Sequence, residues 1–138
     1  MKKLFLLILI GALVVMPVYA TISNDIESSG LIEPYFTNIY TFHTYFDIDG
    51  VGKASLVAVL DGHGADTSRI EGKLQRYSND EWTTIKTFTS ISSNADCSLE
   101  KTYYVEKGYS YRVLYYAFVY SGPILLDHTS QISPLQFY

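Results

Sequence analysis

The sequence predicts an all-β protein, a seven-stranded antiparallel β-sandwich preceded by an N-terminal signal peptide. Three observations carry that expectation. Beyond residue 20, apolar residues alternate with polar ones in short runs and never recur at helical spacing for three turns. Gly, Asp, Asn and Ser cut these runs about every ten residues, the rhythm of strands joined by tight turns. The runs are also rich in Tyr, Phe, Val and Thr, whose branched and aromatic side chains suit a pleated, half-buried surface.

At 138 residues the chain supports one domain. Lys2 and Lys3 give a positive start, Leu4 to Val15 is apolar, and Pro17 interrupts it. Val18-Tyr19-Ala20 then supplies the small residues that a signal peptidase reads, so residues 1–20 are expected to be cleaved after Ala20. The apolar stretch is shorter than the roughly 20 residues of a spanning helix, so no stable membrane anchor is expected and the product should be extracellular. Residues 21–34 are polar, carry Ser28-Ser29-Gly30 and end in Pro34; they read as a flexible leader. Residues 35–138 are the sandwich domain.

The first run, Tyr35 to Asp47, closes at Asp49-Gly50, a tight-turn pair in which glycine tolerates positive φ. The second, Lys53 to Asp61, sets Ala54, Leu56, Ala58 and Leu60 on one face. Gly62 to Asp66 is a loop. The third, Arg69 to Tyr77, turns Ile70, Gly72 and Leu74 inward and Glu71, Lys73 and Gln75 outward. Ser78 to Glu81 reads as a four-residue hairpin loop into the fourth run, Trp82 to Ile91. The fifth spans Cys97 to Val105. The sixth, Gly108 to Tyr120, is the longest, and period 2 puts Tyr109, Tyr111, Val113, Tyr115, Ala117 and Val119 on a core face. Ile124 to Ile132 is the last strand, ending before Pro134.

Composition excludes several function classes. The chain has 14 acidic and 10 basic side chains, a formal charge of −4, and loses two lysines with the signal peptide. No basic run or basic face is visible, which argues against nucleic acid and anionic membranes. The sole cysteine, Cys97, rules out an intrachain disulfide, so an exported domain must be held by its core; Cys97 reads as a small buried apolar residue. An antimicrobial or toxin-like peptide action is disfavoured, because no basic amphipathic segment exists.

Two resemblances follow from these residues. Tyr111-x-Val113-x-Tyr115-x-Ala117 resembles strand F of fibronectin type III and related immunoglobulin-like domains, which implies an immunoglobulin-like topology with Tyr111 as its corner tyrosine. Ile70 to Tyr77 with Trp82 to Ile85 is similar to the C–C′ hairpin of such domains, although the fibronectin core Trp and the antibody Cys pair are both missing. Gly52-Lys53-Ala54, Leu74-Gln75-Arg76 with Trp82-Thr83-Thr84-Ile85-Lys86, and Lys101 to Val113 together resemble a family of small exported proteins of Gram-positive, mostly gut-type bacteria. That family is a domain of unknown function. This second resemblance implies compartment and fold, and no activity.

Catalytic and metal chemistry finds little support. Asp47-Ile48-Asp49-Gly50 begins like a calcium loop but lacks the further oxygen ligands and the closing Glu. Asp61, His63 and Asp66 gather two carboxylates and an imidazole in one loop and are the weak candidates for a metal, against the ordinary use of such residues in turns. His43, His63 and His128 stand singly, without zinc spacing. Asp127, His128 and Ser130 supply triad residue types, but neighbouring strand residues face opposite ways. No nucleophile elbow, phosphate-binding glycine loop or cofactor motif is present, so neither an enzyme nor a cofactor is expected.

Aromatics are the remaining signal. With 13 Tyr, 7 Phe and one Trp, the chain holds more rings than one core accepts. On the sixth run Tyr116, Phe118 and Tyr120 lie opposite the core face, as rings do on sandwiches that bind carbohydrate or protein. The same rings also stabilise sheets by cross-strand pairing. The expectation is a secreted, non-enzymatic binding module for an envelope glycan, a host glycan or an exported protein, with self-association as the alternative.

Overall fold

The computed structural model describes residues 36–138; the expected signal peptide and leader lie outside the described residues. Eight strands follow one another: β1 (Ile39–Ile48), β2 (Lys53–Gly62), β3 (Thr67–Ser78), β4 (Glu81–Ser92), β5 (Cys97–Tyr104), β6 (Ser110–Ser121), β7 (Ile124–Ile132) and β8 (Gln136–Phe137). Every pairing is antiparallel. One sheet has the order β1-β2-β5; the other is β4-β3-β6-β7, with β8 also on β6. This is the expected antiparallel β-sandwich; its β6, central between β3 and β7, has the place that strand F has between C and G in immunoglobulin-like domains. The chain crosses between sheets after β2, β4 and β5.

Alternation decides which side of each strand is buried. Ala54, Leu56, Ala58 and Leu60 of β2 face Ile70, Leu74, Tyr111, Val113, Tyr115, Ala117 and Val119 of the other sheet, all buried. Each fully buried Leu, Ile or Val contributes about 1.5–3 kcal/mol, which is what holds a domain without a disulfide. Cys97 belongs to this core, its thiol against the Ser90 carbonyl at 3.6 Å. Gly72 lies beneath its cross-strand partner Tyr115, and an added Cβ would meet the tyrosine ring at 3.5 Å, an ordinary contact. The corner tyrosine is present: the Tyr111 hydroxyl donates to the Glu106 carbonyl at 2.6 Å.

The turns correct three expectations. In the β1–β2 loop the glycine at positive φ is Gly52 (φ 81), not Gly50; the Asp49 carboxylate accepts from the amides of Val51 and Lys53 and so builds the turn. The β3–β4 connection is two residues, Asn79 and Asp80, both at positive φ, because these side chains tolerate the left-handed region that a type I′ turn demands. An eighth strand appears beyond Pro134. Proline has no N–H, so the ladder is carried past it by Ser133, whose amide donates to the Val113 carbonyl and whose hydroxyl accepts the Val113 amide, both at 2.9 Å.

Sheet edges meet in pairs. At the β1–β7 seam, Gln131 donates to the Phe42 carbonyl at 2.7 Å and accepts from the Thr44 hydroxyl at 2.8 Å. The edge strand β4 carries Lys86 and a bulge at Ile85, features that discourage further pairing.

Candidate ligand-binding face

The register of β3 on β6 builds the site. Arg69 pairs with Phe118, Glu71 with Tyr116, Lys73 with Leu114 and Gln75 with Arg112, all on the outer side of the sheet. Tyr116, Phe118 and Tyr120 follow each other at two-residue steps, so their rings form a ladder with centroids 6.5 and 6.4 Å apart. All three are half-buried. His128 of β7, opposite Phe118, stacks beside that ring at 6.4 Å.

Cations from neighbouring strands cover part of this ladder. The Arg69 guanidinium lies 4.5 Å from the Phe118 ring centre and the Lys73 ammonium 5.2 Å from that of Tyr116. At the far end of the same face, Arg112 lies 4.2 Å from the centre of the Trp82 ring. Each is a cation–π contact of about 0.5–1 kcal/mol at a partly exposed site. Lys73 also pairs with Glu71 at 3.1 Å, and Arg112 donates to Gln75 at 2.9 Å. Among the described residues no carboxylate forms an ion pair with Arg69 or Arg112. Arg69, Lys73 and Arg112 lie scattered in the sequence and share this face through strand register.

The other sequence candidates separate. The Asp66 carboxylate accepts from the Ser121 hydroxyl and the Gly122 amide, fixing the β6–β7 turn. His63 stacks on Tyr40 with ring centres 4.1 Å apart, and Asp61 lies exposed at the end of β2. Asp127 turns toward the Asn38 amide while His128 faces Phe118, opposite sides of one strand. Among the described residues no group of three or more His, Cys, Asp and Glu is placed to hold a metal ion. An open, serine-lined groove of about 560 Å³ runs between β4 and β5, bordered by Ser90, Ser92, Asn94 and Ser98.

Two tyrosines titrate abnormally, and both are in the core. Burial pushes Tyr115 far above its ordinary value of 10.0. Burial also raises Tyr111, against the pull of the nearby Arg76. Neither is on the outer face, so these shifts report packing rather than chemistry. No family model, curated protein or solved structure matches the chain.

Proposed function

We propose that the protein is a secreted, non-enzymatic binding module whose ligand, a glycan or a protein, lies on the outer face of the β4-β3-β6-β7 sheet. The observation that supports it is the ladder of Tyr116, Phe118 and Tyr120, carried on the central strand of the sheet and so held by pairing on both sides. A rigid strand fixes ring spacing, and fixed rings bind at low entropic cost. The signal-peptide pattern of residues 1–20 and the resemblance to small exported Gram-positive proteins support an extracellular reading. The test is a pull-down on envelope and host glycan fractions with the wild type, Tyr116→Ala and Tyr120→Ala, each checked for an unchanged melting curve. Loss of capture in folded variants supports the reading; no capture by the wild type overturns it.

One observation favours self-association as a second reading. Ile124, Leu125, Leu126 and Ile132 of β7, with Leu135 and Phe137 beyond it, are exposed on a single sheet edge. Sedimentation across a concentration series decides it: oligomers that grow with concentration support edge pairing, and a monomer throughout excludes it.

A further inference from the structure

Resting on the proposed binding face, the charge pattern points to a ligand class: we infer that the face takes a carboxylated oligosaccharide in which acidic sugars are separated by neutral ones. The chain is acidic overall, with a formal charge of −4. Yet Arg69, Lys73 and Arg112 share this one face, among the described residues, with a single carboxylate, Glu71, which pairs with Lys73. Arg69 and Arg112 have no carboxylate partner among the described residues. A guanidinium presents a planar fork of donors that matches a carboxylate in two parallel hydrogen bonds. An anion arriving here meets positive charge without displacing a salt bridge from either arginine.

Spacing selects among anions. Arg69 and Arg112 stand six residues apart along the β3–β6 pair, about 20 Å at the rise of a strand, while the Lys73 ammonium leans back over Tyr116. Arg112, opposite Gln75, reaches on toward Trp82 and so away from Arg69. A nucleic-acid duplex carries one charge per about 1.7 Å, and a face this sparse on an acidic protein leaves most of those charges unneutralised. A chain with one carboxylate every second sugar has a charge density closer to that of the face. Beyond the cations stands Tyr120, the ring of the ladder that no Arg or Lys covers among the described residues, and it suits the apolar side of a pyranose. Along the margin, β4 presents the exposed hydroxyls of Thr84, Thr87 and Thr89. Alternating rings, cations and hydroxyls fit a polyhydroxylated chain with intermittent acids better than an apolar peptide.

The experiment is calorimetric titration of the folded protein with a hyaluronan octasaccharide, the same oligosaccharide with its carboxyl groups reduced, a polyglutamate peptide and a thymidine dodecamer. The expected result is that the acidic saccharide binds about tenfold more tightly than its reduced form, the size of one charge-assisted hydrogen bond. That advantage shrinks as salt rises from about 50 to about 500 mM. Arg69→Gln and Arg112→Gln, each with an unchanged melting curve, lower binding of the acidic saccharide and leave the reduced form unaffected, while Lys107→Gln at the β5–β6 turn changes neither. Equal binding of the two saccharides overturns the charge preference and leaves the binding face standing. No binding of either saccharide overturns the carboxylated-glycan assignment, and the pull-down with Tyr116→Ala and Tyr120→Ala then decides separately whether the face binds anything. Tighter binding of polyglutamate or of the dodecamer replaces the ligand class and overturns the inference.

Discussion

The two sides of β6 are written in the same alphabet and do different work. On the inner side Tyr111 and Tyr115 are fully buried, and each hydroxyl donates to a backbone carbonyl, of Glu106 and of Tyr45. On the outer side Tyr116, Phe118 and Tyr120 are half-buried, and two of the three rings lie under cations from β3. An inner tyrosine thus acts as a large hydrophobe whose polar tip is fixed by the fold. An outer one keeps a ring edge and, at positions 116 and 120, a hydroxyl in reach of solvent. The difference teaches that aromatic content alone says nothing about role; the partner of the hydroxyl and the partner of the ring decide it.

The sharpest way to break this contrast is to remove an inner ring. Tyr115→Ala empties the space over Gly72 and strands the Tyr45 carbonyl, and should cost about 3–5 kcal/mol, measured as a fall in urea midpoint. On a domain of this size that shifts the melting temperature by well over ten degrees, at about 4–8 °C per kcal/mol. A loss below about 1 kcal/mol would mean that the ring is not the keystone its burial implies.

Alkali provides a second, smaller test. Tyr115 and Tyr111 both hold their protons more strongly in the folded chain than the ordinary value of 10.0, because burial disfavours the phenolate. The unfolded chain therefore ionises first. Stability is fully present below about pH 10 and falls as pH rises above it toward the folded values. Urea midpoints should accordingly drop between about pH 9.5 and pH 11.5 in the wild type. Tyr115→Phe should begin about 1–2 kcal/mol lower, for the lost hydrogen bond, and decline less steeply. An equally steep decline in Tyr115→Phe would assign the pH dependence to other groups.

The inner side was legible in the sequence, and the outer side only in part. Period 2 alone placed Tyr111, Val113, Tyr115, Ala117 and Val119 in the core, because burial on one face of a strand is a local pattern. The same period placed Tyr116, Phe118 and Tyr120 together on the opposite face. What it could not supply was the register between strands. That Arg69 sits over Phe118, and Arg112 over Trp82, depends on the two-residue turn at Asn79-Asp80 and on the β3–β6 pairing across some forty residues. Reading four residues into that turn shortens both arms of the hairpin and hides the Ser78–Glu81 pair at its mouth. Gly72 shows the same limit: the glycine is visible as an inward position, while the ring it packs under, that of Tyr115, lies on another strand.

Phe118→Ala should have the smallest effect on stability and so separates the two sides most cleanly. The ring contributes a half-buried surface, one cation–π contact with Arg69 and stacking beside Tyr116, Tyr120 and His128. The two cross-strand pairs, with Arg69 and with His128, are worth about 0.2–1 kcal/mol each, so the stability measured by urea unfolding should fall by about 1 kcal/mol. Binding to the ladder should suffer far more, because Phe118 is its middle ring and carries one of the two guanidiniums that have no carboxylate partner among the described residues. A variant that keeps its fold and loses its ligand marks an outer face shaped for recognition. A loss above about 2 kcal/mol would instead make the outer rings part of the scaffold, as the inner ones are.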